Sequence, residues 1–157
     1  MYRFASTVHR FWNRMMDYGL LGRGSTGYLV VIDLELPMLP YLVKRVGNIG
    51  EDYHFSERYE SACKNARALA DAHLVDLSVR ASSELMSTSS ACTFGAIAAG
   101  RFAISCSMGH EGPHNEALML VLAKELQILT YSEVAELAEH LGNEVFLKFA
   151  KIAAYGK

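Results

Sequence analysis

Three cysteines in 157 residues, Cys63, Cys92 and Cys106, are too few and too odd in number for a disulfide framework. None stands in C-x-x-C spacing, so a zinc knuckle is not expected, and a reducing, cytoplasmic compartment is. Charge is scarce as well: charged residues make up 20% of the chain and the formal net charge is −2. That balance excludes a strongly basic footprint, so no nucleic-acid partner is expected. Low charge favours a protein partner or a self-association surface (a homo-oligomer). With 51% hydrophobic residues, disorder is excluded. No internal repeat, low-complexity tract or secretory leader is apparent.

A long uninterrupted apolar run is also missing. Residues 85–109 come nearest, with Arg101 as their one charge. Ser87, Thr88, Ser89, Ser90, Thr93, Ser105 and Ser107 dilute them, so membrane spanning is not expected. Read as a helix, Ala91, Gly95 and Ala99 share one nearly bare face, with Ala96 and Gly100 beside it, and a second helix could approach closely. This rod is expected to be the buried centre of the fold. A competing reading makes 101–108 a strand, because Phe102, Ile104, Cys106 and Met108 alternate with smaller residues.

Residues 2–18 read as an amphipathic helix with Phe4, Val8, Phe11, Trp12, Met15 and Met16 on one side, docked on the core with its arginines in water. Gly22 to Gly27 is glycine-rich but lacks the ending of a phosphate loop. Leu29 to Ile32 is an apolar, β-branched run that favours a strand; Pro40 suits the first turn of a helix running to Val46. A helix over 55–74 carries an alanine-rich stripe, Ala62, Ala66 and Ala70 among it, whose natural partner is the small-residue rod. Residues 115–128 form a helix apolar almost all round, hence buried. Thr130-Tyr131-Ser132-Glu133 is a capping box with Leu129 and Val134 as its staple. Gly142 is placed to stop that helix and Asn143 to cap a last one. The expected fold class is therefore mainly α: a single-domain helical bundle of six or seven helices over residues 1–157, with at most a small two-stranded β element from 29–36 and 74–79.

Chemistry leaves few marks. His110, Glu111 and His114, with Glu116 nearby, are the densest set of metal-ligand types, yet Gly112-Pro113 breaks the helix that would align both imidazoles, and Glu116 suits a helix start. Arg67 and His73 stand at an Arg-x5-His spacing in which the arginine would hold a phosphate and the histidine move a proton. No nucleophile elbow or dinucleotide fingerprint appears, and no cofactor is expected. The most suggestive surface is acidic: Glu133, Glu136, Glu139 and Glu144 fall where no Lys or Arg occurs between Lys124 and Lys148. Such a face steers a basic partner. The expected function is a non-enzymatic protein-binding module, in its narrowest form an immunity-type protein that blocks a basic toxin or nuclease. The alternative is a helical enzyme, metal-dependent through His110 and His114 or RNA-cleaving through Arg67 and His73.

Overall fold

The computed structural model describes residues 2–17, 26–38, 40–47, 55–88, 93–107 and 112–155. In chain order these give helix α1 (Tyr2–Asp17), strands β1 (Thr26–Asp33) and β2 (Pro40–Gly47), helix α2 (Phe55–Val75), a 3-10 turn at Ser82–Leu85, strands β3 (Ala96–Ala99) and β4 (Phe102–Ser107), and helices α3 (Gly112–Glu125), α4 (Tyr131–Leu141) and α5 (Val145–Tyr155). The strands form one sheet in the order β2-β1-β4-β3, antiparallel throughout. The fold is therefore α+β, and the mainly-α bundle of six or seven helices is wrong. What overturns it is the segment expected to be a buried helical rod: within 85–109, residues 96–107 form a β-hairpin.

Spacing alone made that segment look helical. Its true period is two: Ile97, Ala99, Ile104 and Cys106 join one core cluster, while Ala96, Ala98 and Ala103 join the apolar clusters on α2. Ala99 pairs with Phe102, so Gly100 and Arg101 are the two-residue turn of the hairpin. Gly95 has φ +129°, and a Cβ there would lie 2.6 Å from the Cys106 carbonyl oxygen. Its lack of a side chain serves a close backbone approach within the sheet rather than helix packing.

Two further sequence expectations change. Pro40 opens strand β2 instead of a helix, on the edge of the sheet where a missing N–H is tolerated. Residues 74–79 supply the end of α2 and a turn, in which the Asp76 carboxylate accepts from the Ser78 N–H at 2.9 Å. The outer edge of β3 is met instead by Arg80 and Ala81, through the Ala98 N–H to Arg80 carbonyl bond of 2.7 Å and a bridge from Ala81 to Ile97.

The remaining helices stand close to expectation. Val8, Phe11, Trp12 and Met15 of α1 are buried, so this helix docks on the core. The alanine stripe of α2 does meet the small-residue segment, across strands rather than a helix. Asn65 on α2 pins the approach to β3: its amide oxygen accepts from the Thr93 N–H at 3.0 Å and its amide nitrogen donates to the Thr93 hydroxyl at 2.9 Å. Arg101 leaves the hairpin turn to pair with Asp33 at the end of β1, bound through two guanidinium nitrogens. That guanidinium holds the buried Asp33 carboxyl below its ordinary range. No helix of the described residues is long and apolar enough to cross a membrane.

Candidate functional site

The expected acidic surface lies on α4 and the turn that follows. Thr130 caps α4: its hydroxyl accepts from the Glu133 N–H at 3.3 Å, while the Glu133 carboxylate accepts from the Thr130 N–H at 2.7 Å and from its hydroxyl at 2.9 Å. Leu129 and Val134 enter the same apolar cluster, as the staple requires. Gly142 ends α4 at φ +66°, in the left-handed region, and a Cβ there would meet nothing within 4 Å. Conformation alone demands glycine at this position.

Glu133, Glu136, Glu139 and Glu144 are all exposed. Their roles differ. Glu133 closes the capping box, and the Thr130 N–H holds its carboxyl below the ordinary carboxylate range. Reversing its charge would therefore damage α4 as well as the surface. Among the described residues Glu136 has only a long contact from the Ser132 hydroxyl, 3.4 Å. Among the described residues no Lys or Arg pairs with Glu136, Glu139 or Glu144. Glu125, adjacent in sequence, belongs elsewhere: it is mostly buried and pairs with Arg14 and Lys124.

Between α4 and α5 runs a groove of about 410 Å³. Ala135 and Ala138 wall it from α4, Phe146 and Leu147 from α5, with Glu139 and Glu144 at its rim. Leu147 is 56% exposed, a large apolar side chain left in water. The floor is Asn143, whose amide is fully used. Its oxygen accepts from the Phe146 N–H at 3.1 Å, and its nitrogen donates to the Pro113 carbonyl at 3.0 Å and the Glu116 carboxylate at 2.9 Å.

Glu116, expected as a favourable charge at a helix start, is completely buried in the first half of α3. The Ser83 hydroxyl donates to its second oxygen at 2.5 Å. Burial pushes its carboxyl above the ordinary range, and the Ser83 and Asn143 hydrogen bonds pull the other way. One carboxyl group thus ties the 3-10 turn, α3 and the α4–α5 connection together beneath the groove. The burial of Glu116, though not its partners, was signalled: a helix apolar all round must be buried all round, and it carries Glu116 in with it.

The other candidates do not assemble. His110 and Glu111 lie outside the described residues. His114 is described: its ring tilts against Phe149 with centroids 5.6 Å apart, and its Nδ1 is buried with no hydrogen-bond partner among the described residues. Gly112 and Pro113 open α3 rather than breaking it, and Glu116 turns to Ser83 and Asn143. Among the described residues no three His, Cys, Asp or Glu side chains are grouped to hold a metal ion. Arg67 and His73, both on α2, serve different loops: Arg67 reaches the Pro37 carbonyl at 3.4 Å, and the His73 ring bonds the Val79 carbonyl at 2.7 Å. No described histidine hydrogen-bonds a serine hydroxyl.

No family model, curated protein or solved structure matches the chain.

Proposed function

We propose that the protein is a non-enzymatic binding module whose α4–α5 groove receives a basic segment of a partner protein. In its narrowest form it is a neutralising, immunity-type protein that covers a basic toxin or nuclease in the cytoplasm. The observation that carries this reading is an apolar groove with an exposed leucine in its wall and, at its rim, carboxylates that no described Lys or Arg pairs with. Apolar burial supplies the affinity of such a contact, and the rim charges supply its orientation and association rate. The Glu116–Asn143 network supports it by fixing the floor before any partner arrives, which lowers the cost of ordering on binding.

The test uses Glu136→Lys, Glu139→Lys and Glu144→Lys together, with Glu133 left in place to keep the capping box. A partner is captured by the wild-type protein at low salt, identified by mass spectrometry, purified and measured against both forms. Charge reversal lowers the association rate by about tenfold or more and flattens its salt dependence, with the unfolding midpoint unchanged. For the neutralising form, co-expression relieves that partner's toxicity with the wild type and fails with the triple variant. A partner indifferent to both salt and the three reversals refutes the proposal.

A further inference from the structure

A second hollow lies on the opposite face of the sheet, and its cause is a mismatch of widths. Helix α2 packs across β1, β4 and β3 but does not cover β2. Strand β2 overhangs: Val43 pairs with the buried Val30, yet is itself 40% exposed. The register slips between Val31 and Ile32, which sets Pro40 opposite Ile32 and opens the corner further. The result is a pocket of about 330 Å³, with Val30 and Ile32 as its floor and α2 as its wall. That is the low end of the range for small-molecule sites.

The wall has a definite chemistry. Tyr59, Cys63 and Arg67 follow one another at four-residue intervals, so they line one side of α2. The Tyr59 ring stands edge-on to Tyr28 with centroids 5.4 Å apart. Lys64 also lines the pocket, but as a point charge rather than a planar fork. Arg67 carries the fork. It is exposed, and its one contact among the described residues is the 3.4 Å bond to the Pro37 carbonyl, a neutral acceptor. A guanidinium presents five donors in a planar fork that fits a carboxylate. An apolar floor, an aromatic wall and a cation at the mouth describe a flat amphipathic anion.

We propose that this pocket binds a small planar carboxylate, its ring between Tyr59 of α2 and Pro40 of β2 above the closed floor, and its carboxylate on Arg67. Cys63 is the built-in reporter, because it stands half-buried in the wall while Cys106 is fully buried. The experiment follows iodoacetamide alkylation of the Cys63 peptide by mass spectrometry, with 2-naphthoate, its neutral amide and inorganic phosphate as probes. Naphthoate is expected to slow Cys63 alkylation, the amide to need about tenfold higher concentration for the same protection, and phosphate to give none. Arg67→Gln is expected to bring naphthoate down to the level of the amide. The proposal is overturned if naphthoate gives no protection, if the amide protects equally, or if Arg67→Gln leaves the preference intact. Protection that rises with protein concentration and ignores the probes would overturn it too, by assigning the pocket to a second copy of the chain.

Discussion

On β4, Ala103 looks toward α2, while Ile104, one residue on, looks toward α1 and α3. The contrast belongs to the β3–β4 hairpin; β1 sets bulk on both faces, Tyr28, Val30 and Ile32 toward α2 and Leu29 and Val31 away from it. Toward α2 the hairpin presents Ala103, packed with Ala62, Ala66 and Ala70, and Ala96 and Ala98, packed with Leu69. Toward α1 and α3 it presents Ile97, Ile104 and Cys106, facing Phe11, Met15, Leu118 and Met119. One side is built for closeness and the other for bulk. Each fully buried Leu, Ile, Phe or Met contributes about 1.5–3 kcal/mol, so the bulky side carries most of the apolar stabilisation. That side also supports an outer layer, α4 and α5, and with it the acidic groove. The close side supports one helix narrower than the sheet, and the carboxylate pocket is the uncovered remainder.

Glu116 offers the largest way to break this contrast, since it anchors the outer layer to the bulky side. Glu116→Ala leaves the Ser83 hydroxyl without its acceptor and a hole beneath Asn143, and is expected to cost about 2–3 kcal/mol in urea unfolding. Glu116→Gln keeps the shape and one matched hydrogen bond, and is expected to cost about 1 kcal/mol. If the alanine variant is as stable as wild type, the network does not hold the groove floor.

Acid titration sharpens the same contrast with a smaller effect. The native Glu116 carboxyl titrates above its ordinary 4.5, so its contribution is full below that pH and is lost as pH rises from there through the native value. Asp33 runs in reverse. Its carboxyl is held below 3.8 by Arg101, so its contribution is full above that pH and is lost as pH falls through the native value. Unfolding midpoints across the acid range should therefore show Asp33→Asn flattening the fall below 3.8, and Glu116→Gln flattening the decline above 4.5. A common response of both variants on the same side of that range would contradict these assignments.

These particulars show why some elements were legible in the sequence and others were not. Helices α1, α2 and α4 announce themselves through one-sided apolar spacing and, for α4, through Thr130, Glu133 and Gly142, whose signals act within a few residues. The β3–β4 hairpin is apolar on both faces, so the alternation of a half-exposed strand is replaced by alternation between alanine and isoleucine. Gly95 and Ala99 then matched a helical repeat by coincidence; Ala91, the third member of that repeat, lies outside the described residues. Pro40 is equally acceptable at a helix start and on an edge strand, and only the sheet decides between them. On the candidate surface, Glu136 and Glu139 were readable because exposure follows from helical phase, whereas Glu144 sits in the turn after Gly142. The tie between Glu116, Ser83 and Asn143 joins three elements across the chain, and no local pattern records it. The α2 pocket arises from the relative widths of a helix and a sheet, a quantity absent from any single segment.

The opposed character of the two faces is tested most directly by equilibrium urea unfolding of Ala103→Val and Ile104→Ala, neighbours that point to opposite sides of β4. Both substitutions should destabilise: Ala103→Val by about 1–3 kcal/mol, because added methyls force α2 off the sheet. Ile104→Ala should cost about 2–5 kcal/mol, because bulk is removed from a filled core. An Ala103→Val protein as stable as the wild type, or more so, would mean that the α2 side has room to spare and would contradict the account.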